Sequence, residues 1–421
     1  MTHSVAPNLM RIGLNKATLA SSLLGRRIVA VTIIAGAVKV MSIEPEAQDS
    51  GMFRCFTAAG QQELGVRREG EVLTVIKSGS PILRLTMNKT VQGLHLRIAE
   101  TAARDSQELI RATQAALEAL FANDARTRFA LLDADHWNEV AETLTRDGMA
   151  IAGEDGLQMF PELFWQLSNL WLTHNGAHAF PQHHVMTGGK RHPRRAPKPT
   201  GIVYSRHIPW LRRTFCFRTL DIDADLPRFN RWMNDPRVAY FWEEQGDLAK
   251  HRAYLGAIEA DPHMMTLLGC LDGAPFCYFE IYWAKENRLG PYYDVGDYDR
   301  GWHVAVGEDG YRGRDYVAAW LPSLMHYLFL DDPRTQRIVG EPRADHAQQI
   351  RNLERSGFAS IKEFDFPHKR AMLVSLLRER YFGERLWVPR AEQKAEPMAR
   401  EERRAGLAAT ATNSGAPGGI A

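Results

Sequence analysis

The sequence predicts an α/β (α+β) protein built as two halves, and three observations point there. Apolar runs of strand length alternate with amphipathic helical stretches in both halves. A basic, proline- and glycine-rich segment, residues 181–201, separates them. In the second half a strand with a single histidine runs through a glycine-rich turn into a long apolar helix, residues 300–330. A chain of 421 residues has room for two ordinary cores. Its 45% hydrophobic and 24% charged residues are those of a globular protein. A net charge of +2 is too small for a nucleic-acid binder.

The first 40 residues are set apart as a leader. Residues 28–40 are apolar after Arg26-Arg27, in the manner of a signal-peptide core, yet too short to span a bilayer as a helix. A strand of the first domain and an export signal are the other readings. Residues 41–180 form the first domain. Strands are expected at 71–76, 82–87 and 94–98, then a helix at 105–122 with Leu109, Ile110, Leu117, Leu120 and Phe121 on one face. A strand at 128–133 and helices at 136–146 and 160–173 complete it. Residues 181–201 read as a solvated linker, because proline, glycine and like charge disfavour a core. His183-His184 have no third ligand at useful spacing, so no metal site is expected. The four cysteines show no CxxC spacing and are expected as reduced thiols in the cytoplasm.

Residues 202–388 form the second domain. Expected are a strand at 215–220, helices at 225–234 and 248–260, and a strand pair, 265–271 and 275–283, around Asp272-Gly273. The histidine strand 301–306, the helix 316–330, strands at 337–340 and 370–375 and a helix at 347–356 follow. Pro322 should kink or break the long helix. Trp232 and Trp320 read as core. Residues 389–421 are rich in Ala, Glu, Arg and Gly and read as a disordered tail.

The turn Gly310-Tyr311-Arg312-Gly313-Arg314 aims backbone N–H groups and a helix N-terminus at one point, which suits a phosphate. His303 then stands one strand-length from a phosphorylated cofactor, an arrangement for group transfer from a nucleotide carrier. An imidazole accepts a proton near neutral pH. A lone histidine on an apolar strand is otherwise a satisfied core residue.

Residues 206–382 resemble the siderophore-biosynthesis branch of the GNAT acyltransferases. The residues that carry the resemblance are Arg218-Thr219-Leu220-Asp221, Phe229 through Val238, Phe241-Trp242-Glu243-Glu244, Tyr278 through Ala284, Tyr298 through His303, and Arg337 through Pro342. The resemblance implies a GNAT acyltransferase fold in the C-terminal half. The strand and helix order of the first half suggests a degenerate GNAT-like domain. An acyl-CoA donor is implied, acetyl-CoA first, with its acyl carbonyl against the strand of Val304 and Val306 and its pyrophosphate on Gly310, Arg312, Gly313 and Arg314. His303 is implied as general base and Glu341 as its acidic partner. The acceptor implied is a small hydroxylamine, and a siderophore synthetase or amine hydroxylase are candidate partners. No nucleic acid, membrane or metal is called for.

Two positions depart from the family pattern. Asp315 follows the glycine turn where a small residue is usual, and as an N-cap it would occupy the helix amides. His346 replaces the asparagine that opens the late helix. For the acceptor, Asp294, Asp297 and Asp299 are candidates to receive a cationic amine, and Trp242, Trp283, Tyr292 and Tyr293 to wall its alkyl chain. An ordinary acidic surface loop is the alternative. Arg237 and Glu280 fit either a site or buried pairing. The rival functions are long-chain acyl transfer to lysine from a carrier protein, acetylation of a protein lysine or a drug amine, and a non-catalytic acyl-CoA-binding module, which Asp315 would favour.

Overall fold

A computed structural model of the chain describes residues 20–24, 27–34, 37–43, 51–58, 61–90, 93–123, 127–174 and 179–389. The first 51 residues form a unit of their own. Within it β1 (Ala20–Leu24), β2 (Arg27–Ile34) and β3 (Ala37–Ile43) make a three-stranded antiparallel sheet, and the described residues of the apolar run 28–40 lie in β2 and β3. The tail beyond Pro389 lies outside the described residues.

The second unit, from Met52 onward, contains two eight-stranded sheets. The first begins with β4 (Phe53–Cys55), β5 (Leu64–Glu69), β6 (Val72–Lys77), β7 (Ser80–Lys89) and β8 (Leu94–Thr101) as an antiparallel meander. Helix α1 (Ser106–Asn123) crosses to β9 (Ala130–Leu132), which pairs parallel with β8. Helix α2 (Ala134–Arg146) leads to β10 (Ile151–Gly153) and β11 (Gly156–Met159). The strand order is β4-β5-β6-β7-β8-β9-β11-β10.

The expected helix over 160–173 is largely absent. Only α3 (Pro161–Phe164) and a turn of 3-10 helix at Ser168–Leu170 form. The reason is the packing of the tryptophans. Trp165 stacks between Trp171 and Trp387 at ring-centroid distances of 4.7 and 4.8 Å, which a continuous helix with the two rings six residues apart does not allow. This stack lies on the seam between the halves, where His326 bonds Tyr204 Oη through Nδ1 (2.9 Å) and the Trp165 carbonyl through Nε2 (2.6 Å).

Residues 181–201, expected as an open linker, carry a hairpin of β12 (His184–Thr187) and β13 (Lys190–Pro193). Gly188 and Gly189 turn it at φ 56° and 77°, the left-handed pair that a two-residue hairpin loop requires. Arg195 behind it is buried and grips Glu286 with both nitrogens of its fork (2.6 and 2.7 Å).

The second sheet opens with β14 (Ile202–Ile208) and β15 (Arg213–Thr219). Three helices follow: α4 (Ile222–Met233), α5 (Pro236–Trp242) and α6 (Leu248–Ala260). Each starts on an aspartate whose side chain caps the first turn, Asp221, Asp235 and Asp247. Strands β16 (Met264–Leu271), β17 (Ala274–Trp283) and β18 (Arg300–Val306) continue the meander. Helix α7 (Arg314–Asp331) crosses to β19 (Arg337–Gly340), parallel to β18. It runs unbroken through Pro322. Helix α8 (Ala347–Arg355), β20 (Ala359–Asp365), β21 (Arg370–Leu377) and α9 (Arg378–Gly383) close the domain. The order is β14-β15-β16-β17-β18-β19-β21-β20, the same as in the first sheet. One hydrophobic cluster runs through both halves, from Leu73 and Trp137 to Phe279 and Leu328.

Candidate active site

Strands β18 and β19 pair only at Arg300–Ile338 and Gly301–Val339, and then part. His303 lies two residues past the last pair on β18, and Glu341 two residues past it on the other side. Their side chains meet across the opening, Nε2 to Oε1 at 2.9 Å. Register supplies a second acid. Glu280 on β17 is directly opposite His303, and its Oε2 is 3.1 Å from Nδ1. The imidazole is therefore held between two carboxylates that are 4% and 2% exposed, while its own side chain is 24% exposed.

Tyrosines anchor both acids. Tyr282 Oη donates to Glu341 Oε2 (2.9 Å), and Tyr278 and Tyr254 Oη both donate to Glu280 Oε1 (2.9 and 2.5 Å). Gly301 makes the first of these possible. A Cβ there would stand 2.2 Å from the Tyr282 ring, so only glycine lets the ring lie across the strand. Burial lowers the His303 pKa, but Glu341 and Glu280 outweigh it and raise it to about 9. Burial pushes Glu341 up, but His303 and Lys369 outweigh it and hold it at about 2. The two acids thus favour the protonated form of the His303 imidazole.

Trp242 packs edge-on to His303, and its Nε1–H donates to the Val304 carbonyl (3.2 Å). The Val306 carbonyl accepts from Arg312 (2.9 Å). Both carbonyls are used off the β17 ladder. The N–H groups of Val304 and Val306 share that open edge, because the N–H and C=O of one strand residue point to the same side.

The glycine turn leads into α7 through Gly313, whose φ of 108° excludes a side chain without strain. No side chain caps this helix. Asp315 is exposed and leaves the first-turn amides alone, so the cap suspected from its position does not form. Gly310 and Arg314 are exposed. Acidic residues of the turn are paired, Glu308 with Arg231 and Asp309 with Arg237 and Arg312. Arg237 is thereby a turn brace. His346 caps α8, its Nδ1 accepting from Gln349 N (3.0 Å).

Two of the three acids in the loop before β18 are paired within the protein. Asp299 is buried, bonded to Arg337 (2.6 Å) and Tyr293 Oη (2.9 Å). Asp297 takes Lys285 (2.5 Å) and His184 (3.0 Å), and Asp294 is exposed. Trp283 is sandwiched by Arg300 and Arg195, 4.0 and 4.2 Å from its ring. Of the seven residues expected to bind the acceptor, Trp242 is the one whose ring meets His303. The sequence reading gave Glu280 no firm place, although an acid alternating with Tyr278 and Tyr282 on a buried strand was a usable signal.

Comparison with known proteins agrees with this architecture. Residues 221–366 match the family described as acetyltransferase (GNAT) domain. The chain is 41% identical over 272 residues to the N(6)-hydroxylysine O-acetyltransferase of Escherichia coli, covering 64% of this chain and 84% of that protein. It is 51% identical over 188 residues to the N(5)-hydroxyornithine:cis-anhydromevalonyl coenzyme A-N(5)-transacylase of Beauveria bassiana, covering 44% of this chain and 41% of that one. It is 42% identical over 215 residues to a hydroxyornithine transacylase of Ajellomyces capsulatus, covering 48% and 49%. The chain spans less than half the length of these two fungal relatives. Among the described residues no helix is long and apolar enough to cross a membrane.

Proposed function

This chain belongs to the GNAT acyltransferases of the N-hydroxylysine acyltransferase branch, and from that membership we propose that it moves an acyl group from coenzyme A to the nitrogen of an N-hydroxylated amine. The product is a hydroxamate, the iron-binding arm of a siderophore. The single observation that carries the reading is the His303–Glu341 pair standing across the gap between two parting strands. Acetyl-CoA with N6-hydroxylysine is the first choice, and succinyl-CoA with an N-hydroxylated diamine the second. The uncapped N-terminus of α7, the turn at Gly313 and the open edge of β18 suit a diphosphate and a pantetheine arm. When bound, the thioester supplies an activated carbonyl and a thiolate leaving group.

The chain's own residues do the rest. The nitrogen lone pair of the acceptor attacks the acyl carbon. The Val304 and Val306 edge of β18 offers N–H groups to the oxygen that gains charge. As the tetrahedral adduct collapses, the C–S bond breaks and a C–N bond remains. The nitrogen must lose one proton, which ends on the departing sulfur. In its deprotonated form His303 takes that proton at Nδ1, because Glu341 holds Nε2 in a network fixed by Tyr282. The acceptor reaches Nδ1 by loosening the longer contact to Glu280. A hydroxylamine suits such a base. The oxygen withdraws density, so the nitrogen is unprotonated near neutrality where an alkylamine is not.

Acylation at nitrogen and at oxygen differ in product. Only the N-acyl product binds ferric ion through a hydroxamate. Incubation with acetyl-CoA and N6-hydroxylysine should release free thiol and give a coloured ferric complex in equal amounts. Thiol release without the ferric colour would reject the hydroxamate assignment. The cytoplasm, where acyl-CoA is found, is the compartment this reading requires, and all four cysteines are buried and unbridged.

A further inference from the structure

The mouth of the site carries more positive charge than its buried acids need. Glu341 is already matched by the His303 imidazolium, and its second oxygen accepts from Tyr282. Two further cations stand beside it. Lys369, on the turn between β20 and β21, donates to the Glu341 backbone carbonyl (2.7 Å) and not to its carboxylate. Arg288, on the loop after β17, has NH2 3.8 Å from Glu341 Oε1, beyond hydrogen-bond reach. That oxygen is the one His303 uses, so Arg288 and the imidazole flank a single atom.

Arg288 is half exposed and makes no hydrogen bond to a described residue, while its guanidinium lies 5.6 Å over the Phe366 ring. A planar fork held by an aromatic ring, with its donors unused, is a preformed receptor for a carboxylate. Lys369 is half-buried; burial, Arg288 and Arg343 lower its pKa against the pull of Glu341, so an added anion would relieve it. Arg343 itself is chelated by Asp345. The acids that would have received an ammonium group, Asp297 and Asp299, are closed off by their own partners.

Resting on the acyl-transfer reading of the site, with an N-hydroxylated amino acid as acceptor, we propose that Arg288 and Lys369 form the subsite that holds the acceptor's carboxylate. The subsite holds the far end of the acceptor, and His303 meets the hydroxylamine end.

The test compares N6-hydroxylysine with N-hydroxycadaverine, which has the same hydroxylamine end and no carboxylate. The full chain should favour the amino acid in kcat/KM by about 10–100-fold. In Arg288→Met most of that ratio should vanish through a rise in KM for the amino acid, with a loss at least about tenfold larger than on the diamine. Equal losses on both acceptors, or a native preference for the diamine, would overturn the subsite. Calorimetric titration of both compounds into the native chain reads the same preference without turnover. Tight carboxylate-dependent binding with no thiol release from either acceptor would sink the acyl-transfer reading and leave the subsite standing. Equal binding of both would sink the subsite alone.

Discussion

The two eight-stranded sheets have one strand order and opposite chemistry at the place where the parallel pair separates. In the second sheet the positions two residues beyond the ladder are His303 and Glu341, joined at 2.9 Å. In the first sheet β8 and β9 pair through Leu96–Leu132, and two residues on β8 carries Ile98. There the gap closes at once, because Asp133 N bonds Leu96 O and Asp133 caps α2. The crossing helices differ in the same sense. Helix α1 is closed by its own acids: Asp105 takes Glu108 N, and Glu108 takes Arg104 N and Lys77 Nζ. Helix α7 begins on bare glycine. A turn joins β5 to β6, whereas α4, α5 and α6 lie between β15 and β16 and bring Trp242 to His303 and Tyr254 to Glu280. The common topology is a scaffold. Activity follows from what fills the gap, what leaves the helix start open and what the insertion carries.

The largest expected effect breaks the comparison directly. His303→Ala should lower kcat/KM by about 10²–10⁴-fold with an unchanged circular dichroism spectrum, while Lys77→Ala in the first half should leave it within about twofold. Comparable losses in both would mean that the first half shares in catalysis. Next comes the seam. Trp165→Ala should cost about 3–5 kcal/mol in urea unfolding, and both halves should unfold in one transition because their core is continuous. Separate transitions would make the halves independent.

The pH profile is the third. With His303 raised to about 9, the fraction able to accept a proton grows as pH rises, so kcat/KM should climb from pH 7 and level off near pH 9. A plateau already reached at pH 7 would remove His303 as the limiting base. The same shift stabilises the fold. A pKa raised in the folded state contributes fully below the unfolded value, about 6.5, and is lost as pH climbs to about 9. The smallest effect concerns the turn. Gly313→Ala places a side chain at φ 108° and should cost about 1–3 kcal/mol, read as weaker acyl-CoA binding, whereas the equivalent change at Gly310, with no positive φ, should cost less.

Particular residues show where the sequence was legible. His303 and the glycine turn lie in a short motif and could be read directly, and Glu341 was named through the family resemblance. The partners of Asp299 and Asp297 could not be read, because they come from elsewhere: Arg337 from β19, Lys285 from the loop start, His184 from the hairpin. Trp283 was taken for a pocket wall, and Arg195, from the supposed linker, covers it. Arg288 and Lys369 are 81 positions apart and carried no sequence signal of a shared task.

By itself the sequence determined the alternation of strands and helices and the glycine-to-helix turn, and the pairing of His303 with a distant acid came from the family resemblance. The first two depend on local periodicity and backbone freedom, which are written residue by residue. Only the tertiary structure decided that a second acid holds the imidazole, that Asp297 and Asp299 are paired and that Arg288 and Lys369 stand beside Glu341. Those are sums over charges brought together by sheet register and loop packing, and no single segment contains them.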